Sequence, residues 1–484
     1  MFRRRWSGLP ADPVFASDLK ELGYFINDVD EIRSIEDPDY YFKYFLTKND
    51  RWNERQRFAF NEAIHKEIHA RLDAQNFTTI PLPLGTPPTK PHVPIRTSPN
   101  ISTATRVVLL FGESSQALGV LAHRVIGGKG GGVTCGSVLG LIAALNTQRS
   151  SAADPSPPAI VLANAGELWW WPEGGHGLTP VARHGVPMAS AVHLGRYHDA
   201  KVNEIPGNRT VREHVRGVFE AVVLGGGMVR EEAKVDVIAL GDTADEVEGY
   251  LDDDRVWEKV GRRLGCLVTL GSCYSSKEFK CEGFKRFMAE RARAYMMHHT
   301  PLDTPVAGPG GNPGAAGFTS YGCPVYSAGE ARVIETMLIE AQPAVLNWMQ
   351  QVALEGEAYK NAVVEIYGEE EVGQGSSWWG VPDNGNDENE AETQTKDTEA
   401  ADDEVKDGGE AQINQENGKA SGSNAQANDN NAPANGNVVQ AVGNDGAGVG
   451  MVEAQGGKAK PVDGPNAQDM KDLVKEIKDL KITN

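Results

Sequence analysis

Short apolar runs, separated by stretches with helical spacing, limit the fold of this chain more than any other feature. Val107-Val108-Leu109-Leu110-Phe111, Ala159-Ile160-Val161-Leu162-Ala163, Val235 to Leu240 and Cys266 to Leu270 are apolar at nearly every position. A strand with one wet face alternates polar and apolar residues, so such runs belong to strands covered on both faces. Helical stretches lie between them. Val138 to Leu145 is one, Glu246 to Leu251 another, and Phe284 to Met297 a third. A further helix opens at Thr210, with Glu213 at capping-box spacing. Val211, Val215, Val218, Phe219 and Val222 give it a single apolar stripe. Val325-Tyr326 reads as a fifth strand and Ala344 to Val352 as a closing helix. Strands alternating with helices predict an α/β fold with a doubly wound, mostly parallel sheet. Sheets of that kind bind ligands at the C-terminal ends of their strands.

Around this core, residues 106–368, the composition divides the chain. Residues 15–82 form an N-terminal lead-in. Within it Tyr40-Tyr41-Phe42-Lys43-Tyr44-Phe45 reads as strand, and Trp52 opens a helix carrying Phe58, Phe60, Ile64, Ile68 and Leu72. Residues 83–105 are rich in Pro and Thr and read as a linker or surface loop. From 369 to 466 the chain reduces to Asn, Gly, Ala, Gln, Asp and Glu, which reads as an acidic, low-complexity, disordered tail. In the last stretch, 467–484, Met470, Leu473, Ile477 and Leu480 recur at helical spacing. Two heptads are too short for a stable isolated helix. The stretch reads equally as a partner-docking helix and as a transient helix in a solvated tail.

The formal net charge of -20 argues against a chain that coats duplex nucleic acid, since phosphate repels an acidic surface. An acidic tail instead suits basic partners such as histones. Five cysteines, with no CxxC pair, read as reduced thiols. Arg3-Arg4-Arg5 is followed by no apolar segment of the signal-peptide kind, and no run of about 18 apolar residues occurs. The expectation is an intracellular, non-secreted protein of the nucleus or cytoplasm, with no membrane partner.

The strand ending at Leu240 runs into Gly241-Asp242-Thr243-Ala244-Asp245 and then a helix. In α/β hydrolases that place holds a nucleophile elbow, whose tight turn needs small neighbours. In the register small-x-nucleophile-x-small, Thr243 stands where Ser is expected and Asp245 replaces a small residue. A carboxylate nucleophile at Asp242 would put Leu240 where Gly is wanted. The plain alternative for Asp242 and Asp245 is a helix cap and a first-turn acid. A triad also needs an acid and a late histidine. Gly271-Ser272-Cys273 offers no carboxylate, the loop from Ser327 to Thr336 holds no His, and His298 and His299 read as a solvated helix end. Gly127 to Gly132 encloses Lys129, but no phosphate-loop spacing fits. No zinc or calcium spacing is present, and neither a cofactor nor a metal is expected.

The order of several short motifs resembles the Argonaute-binding-protein-two domain family. They are Tyr24-Phe25 to Asp30, Arg51-Trp52-Asn53, Phe111-Gly112, Glu213-His214-Val215, Gly241 to Asp245, Pro301-Leu302-Asp303-Thr304, and Cys323-Pro324 with Ser327-Ala328-Gly329. The family includes a fungal subunit of the Argonaute siRNA chaperone complex, the C-terminal part of fungal class II histone deacetylases, and an animal family of co-transcriptional regulators. The resemblance implies a degenerate α/β-hydrolase-like fold. Relatives that look like intact hydrolases carry an elbow Ser, an acid after the next strand and a His after the Ser-Ala-Gly run. Here Thr243, Gly271 and a residue near Ile334 stand in those places. The resemblance therefore implies a non-catalytic adaptor. Its partners would be Argonaute and a second chaperone subunit, or histone and chromatin proteins, in RNA-silencing-linked heterochromatin assembly. Leu473, Ile477 and Leu480 are candidates for docking. The competing expectations are an atypical esterase using the elbow-like turn and a histone-binding module without Argonaute.

Overall fold

A computed structural model describes residues 8–366, apart from 194, 226, 313–319, 330 and 365. The tail at 369–466 and the terminal stretch with Leu473, Ile477 and Leu480 lie outside the described residues.

In chain order the strands are β1 (Tyr24–Ile26), β2 (Ile32–Ser34), β3 (Thr78–Leu82), β4 (Val93–Thr97), β5 (Arg106–Phe111), β6 (Ala159–Ala163), β7 (Trp169–Trp171), β8 (His176–Leu178), β9 (Lys234–Leu240), β10 (Leu264–Leu270), β11 (Ala292–Met296), β12 (Pro305–Ala307) and β13 (Val325–Ser327). The helices are α1 (Asp50–Ala74), α2 (His123–Ile126), α3 (Val138–Leu145), α4 (Ala200–Asn203), α5 (Val211–Val218), α6 (Asp242–Leu251), α7 (Asp254–Val260), α8 (Glu282–Arg291) and α9 (Ile334–Glu355).

Among the described residues, nine strands form one sheet in the order β12-β13-β11-β10-β9-β5-β6-β4-β3. The six strands β5, β6, β9, β10, β11 and β13 run parallel, while β4 is antiparallel to β6 and β3, and β12 to β13. Counted along the chain from β3 and leaving out β12, the spatial order is 1-2-4-3-5-6-7-8 with the second strand reversed. That is the strand arrangement of α/β hydrolases. The apolar runs are continuous because both faces are covered. On β5, Val108 and Leu110 point into one core with α1, α3 and α9, while Val107, Leu109 and Phe111 point into the other with α5, α6 and α8. Helix α1 buries Phe60, Ile64, Ile68 and Leu72 completely, each contributing about 1.5–3 kcal/mol.

Several expectations are corrected. The stretch 83–105 is not merely a linker, because it contains β4, which pairs with β3 and β6. The residues of the lead-in thus supply an edge of the central sheet. The aromatic run Tyr40–Phe45 forms no strand. Instead Phe42 is buried and stacks on Phe60 at 3.7 Å. The helix expected over Phe284–Met297 stops at Arg291, and β11 takes its second half.

Two charged centres pin the fold. Arg106 on β5 donates through Nε to Asp236 on β9 at 2.6 Å, and also reaches Gln148 Oε1 and the carbonyls of Arg149 and Met349. Asp236 in turn accepts from Cys266 N at 3.1 Å. Near the N-terminus, Asp12 accepts from Arg51 at 2.5 Å, from Arg55 at 2.8 Å and from Met188 N at 2.7 Å. This ties the first described residues to α1 and to the segment around residue 188.

Candidate functional site

At the C-terminal end of β9 the chain turns sharply through Gly241, whose φ is 56° and ψ is -135°. These are the dihedrals of the first central position of a type II′ turn, where glycine is strongly favoured. The amide of Gly241 donates to Leu270 O at 2.8 Å, which ties the turn to β10. In α/β hydrolases the strained residue of this strand-to-helix turn is the nucleophile. Here it is Gly241, flanked two residues away by the small residues Ala239 and Thr243. The elbow register that places Thr243 at the nucleophile position is therefore corrected by two residues. Thr243 sits in the first turn of α6, fully buried, with a hydroxyl that has no hydrogen-bond partner.

The other residues of the turn are engaged locally. Asp242 is exposed and accepts from Ser114 Oγ at 2.5 Å. Ala244 packs into the core on the α5–α6 side. Asp245 accepts from Ser272 Oγ, Cys273 N and Tyr274 N at 2.7–3.0 Å, and so shapes the loop after β10. Gly241, not Asp242 or Asp245, is the N-cap of α6, while both aspartates are acids of its first turn, as the plain alternative expected.

Gly271 follows β10 with φ 72°, and Ile334 begins α9. The structure brings both to Gly241. Ile334 Cγ2 lies 3.5 Å from where a β-carbon on Gly241 would stand, and 3.1 Å from where one on Gly271 would stand. Two bare glycines and an aliphatic side chain occupy the place where a triad would converge. His298 and His299, expected at a helix end, lie instead in the loop after β11, with their rings stacked at 4.2 Å.

The sequence reading missed the carboxylates on this site. Glu113, in the loop after β5, brings its Cγ to 3.4 Å and its Oε1 to 3.5 Å from the β-carbon position of Gly241. Burial, the neighbouring Glu335 carboxylate and Asp242 push the Glu113 carboxyl up to about 7, against the pull of the Ser115 hydroxyl. Hydrolases place backbone N–H donors of this loop around a developing oxyanion. A carboxylate facing the same point opposes such an anion. Glu335 accepts from Gln116 Nε2 at 2.9 Å and forms an ion pair with Arg124. The cavity lined by Gly112, Glu113, Gln116, Leu118 and Asn164 holds about 20 Å³, room for about one water molecule. The only signal in the sequence was Gly112-Glu113 directly after the first core strand.

Residues 15–302 match the Arb2 domain. The chain belongs to the Arb2 domain family. Its Arb2 domain reaches from before β1 to the loop after β11, so α1, β3 and β4 fall within the family match. Strands β12 and β13 and helix α9, which carries Ile334 and Glu335 into the site, follow the matched residues. Among solved structures the chain is similar to an arylesterase, at 9% identity over 60% of this chain and 91% of that one, with a TM-score of 0.24. No curated protein matches the chain. Among the described residues, no group of three or more His, Cys, Asp or Glu is arranged to hold a metal ion, and no helix is long and apolar enough to cross a membrane.

Proposed function

We propose that this Arb2-domain protein is a non-catalytic binding subunit that engages Argonaute together with a second chaperone subunit, in RNA-silencing-linked heterochromatin assembly in the nucleus or cytoplasm. The partners come from the family. The absence of catalysis is argued from Gly241. The residue with nucleophile dihedrals has no side chain, and Ile334 packs where a base would have to sit. Nucleophilic hydrolysis of the serine type needs a nucleophile, a base and a group that orients the base. Where it is ionised, above about pH 7, the Glu113 carboxylate facing the same point adds to the argument, because it disfavours a tetrahedral oxyanion there.

Two experiments test the reading. Affinity purification of the tagged full chain, with mass spectrometry, should recover Argonaute and one further subunit. Recovery of histones without Argonaute would replace the reading with a histone-binding module. The purified protein should neither react with a fluorophosphonate probe nor turn over simple esters. Labelling that resists denaturant and maps to the 241–245 turn would refute the non-catalytic half.

A further inference from the structure

A chain of hydrogen bonds leads away from Glu335 to His65 on α1. The Glu335 carboxylate only accepts, so Gln116 donates to it through Nε2 and has Oε1 left to accept. His123 Nδ1 lies 3.1 Å from that oxygen and must therefore carry a hydrogen. Its Nε2 is then a bare acceptor. It faces His65 Nε2 at 3.0 Å, so His65 must be the donor there. His65 Nδ1 is left bare, 4.0 Å from Glu62. The chain fixes both tautomers in the neutral state.

We infer that the His65–His123 pair is an acid-sensitive latch, fastening to helix α1 the segment 113–126 that lays Glu113 and Gln116 over the vestigial site. Apart from the four residues of α2, that segment has no helix or strand of its own. A first proton on the pair can be shared, because His65 can shift its hydrogen to the bare Nδ1 and accept from His123, but this buries a positive charge; a second proton sets two N–H groups face to face and breaks the bond. A proton on His65 would place charge among His69, His176 and His123, with Glu62 the one nearby acid on its own helix. Arg57 adds repulsion at His123. Arg124 is already paired with Glu335, and Glu167 accepts from Leu118 N and Asn164 Nδ2. His65 keeps 17% of its side-chain surface exposed, which gives a proton a way in.

Burial holds both imidazoles below the ordinary histidine value of 6.5, His123 at about 4. Rings freed from the latch regain the ordinary value, so the open form takes up protons first. The latch is at full strength above about pH 6.5 and weakens as the pH falls; the His123 contribution levels off below about 4, and His65 acts in the same direction. Within this window each pH unit multiplies the open-to-closed ratio about tenfold for every ring released.

The test is hydrogen exchange on the full chain between pH 7.5 and 5. Protection factors of amides 117–126 should fall at least about tenfold per pH unit below 6.5, while amides of β5 and β9 keep theirs. His65→Leu should lower the protection at pH 7.5, leaving what the His69–Leu118 O contact and the amide bonds of Leu121 and Ala122 to Gly136 O maintain. His65→Gln, whose amide can still donate to His123, should retain it and respond less steeply to acid. Ring ¹⁵N spectra at pH 7.5 should place the hydrogens on His123 Nδ1 and His65 Nε2. Protection of 117–126 that ignores pH, loss shared equally with β5 and β9, or the opposite tautomer at either ring would overturn the latch.

Discussion

Ile334 packs against Gly271 so closely that its Cγ2 lies 3.1 Å from where a β-carbon on that glycine would stand. The same methyl stands 3.5 Å from the corresponding point on Gly241, and both glycines have positive φ. Alanine at either position meets a backbone conformation that L-residues avoid, at a cost of about 1–3 kcal/mol. At Gly271 it also crowds Ile334. Urea unfolding should therefore rank Gly271→Ala below Gly241→Ala in stability. The reverse order would mean that Ile334 yields easily.

Restoring a hydroxyl should not restore chemistry. Gly241→Ser places an Oγ at the elbow, where the nearest atoms belong to Glu113 and Ile334 rather than to an imidazole. It should fold with the same strain and stay unreactive towards a fluorophosphonate probe. Rapid labelling of this variant would show that a base is supplied from outside the expected place.

Much of this was readable from residue pattern, and the exceptions have physical causes. Val138–Leu145 and Ala159–Ala163 are a helix and a strand at the positions that their spacing predicts. Strands β3 and β4 escaped notice because Pro81 and Pro94 make them look like loop. Those two prolines are register partners, and β4 meets β6 only at Arg96 and Thr97, so Pro94 has β3 alone beside it. Proline is tolerated at such an edge because it breaks no interior ladder. Strand β11 escaped because Ala292-Arg293-Ala294-Tyr295-Met296 continues a helical sequence with no breaker. It becomes a strand by pairing between β10 and β13, a long-range contact that local propensity does not record. The elbow was two residues off because a positive φ leaves no mark other than glycine itself. Glu113 was missed because its role depends on loops from three strands meeting.

The Arg106–Asp236 pair should be expensive to break from one side. Asp236→Ala leaves a buried guanidinium and an unpaired Cys266 N–H, and should cost about 3–5 kcal/mol in thermal or urea unfolding. A loss below about 1 kcal/mol would mean that Gln148 and the carbonyls of Arg149 and Met349 suffice to hold Arg106.

Asp12 should make the N-terminal segment acid-sensitive. Burial alone would push its carboxyl up, but the Arg51 and Arg55 guanidiniums and the Met188 N–H together hold it well below the usual carboxylate range. Its stabilising effect is thus full above the ordinary carboxylate value of about 4 and fades as the pH falls further. Proteolysis ahead of β1 should accelerate below pH 4 in the parent chain. In Asp12→Asn it should be fast at every pH, and a protected Asp12→Asn would discount the clamp.

Glu113 predicts a dependence of the opposite sign, nearer neutrality. Its carboxyl is raised to about 7, so the folded protein binds a proton that the unfolded chain has already lost above about pH 4.5. Stability should therefore decline as the pH rises from about 4.5 to 7 and level off beyond. Glu113→Gln removes the charge that causes this decline. Relative to the parent, it should gain about 1–2 kcal/mol between pH 5 and pH 8, allowing for solvent screening. Glu335→Gln should act through the neighbouring charge, moving the Glu113 midpoint towards the ordinary carboxylate range. A ¹³C titration of the Glu113 carboxyl in the two proteins reads this directly. If the midpoint stays put, burial and Asp242 raise Glu113, and the Glu113 and Glu335 carboxylates do not share the site electrostatically.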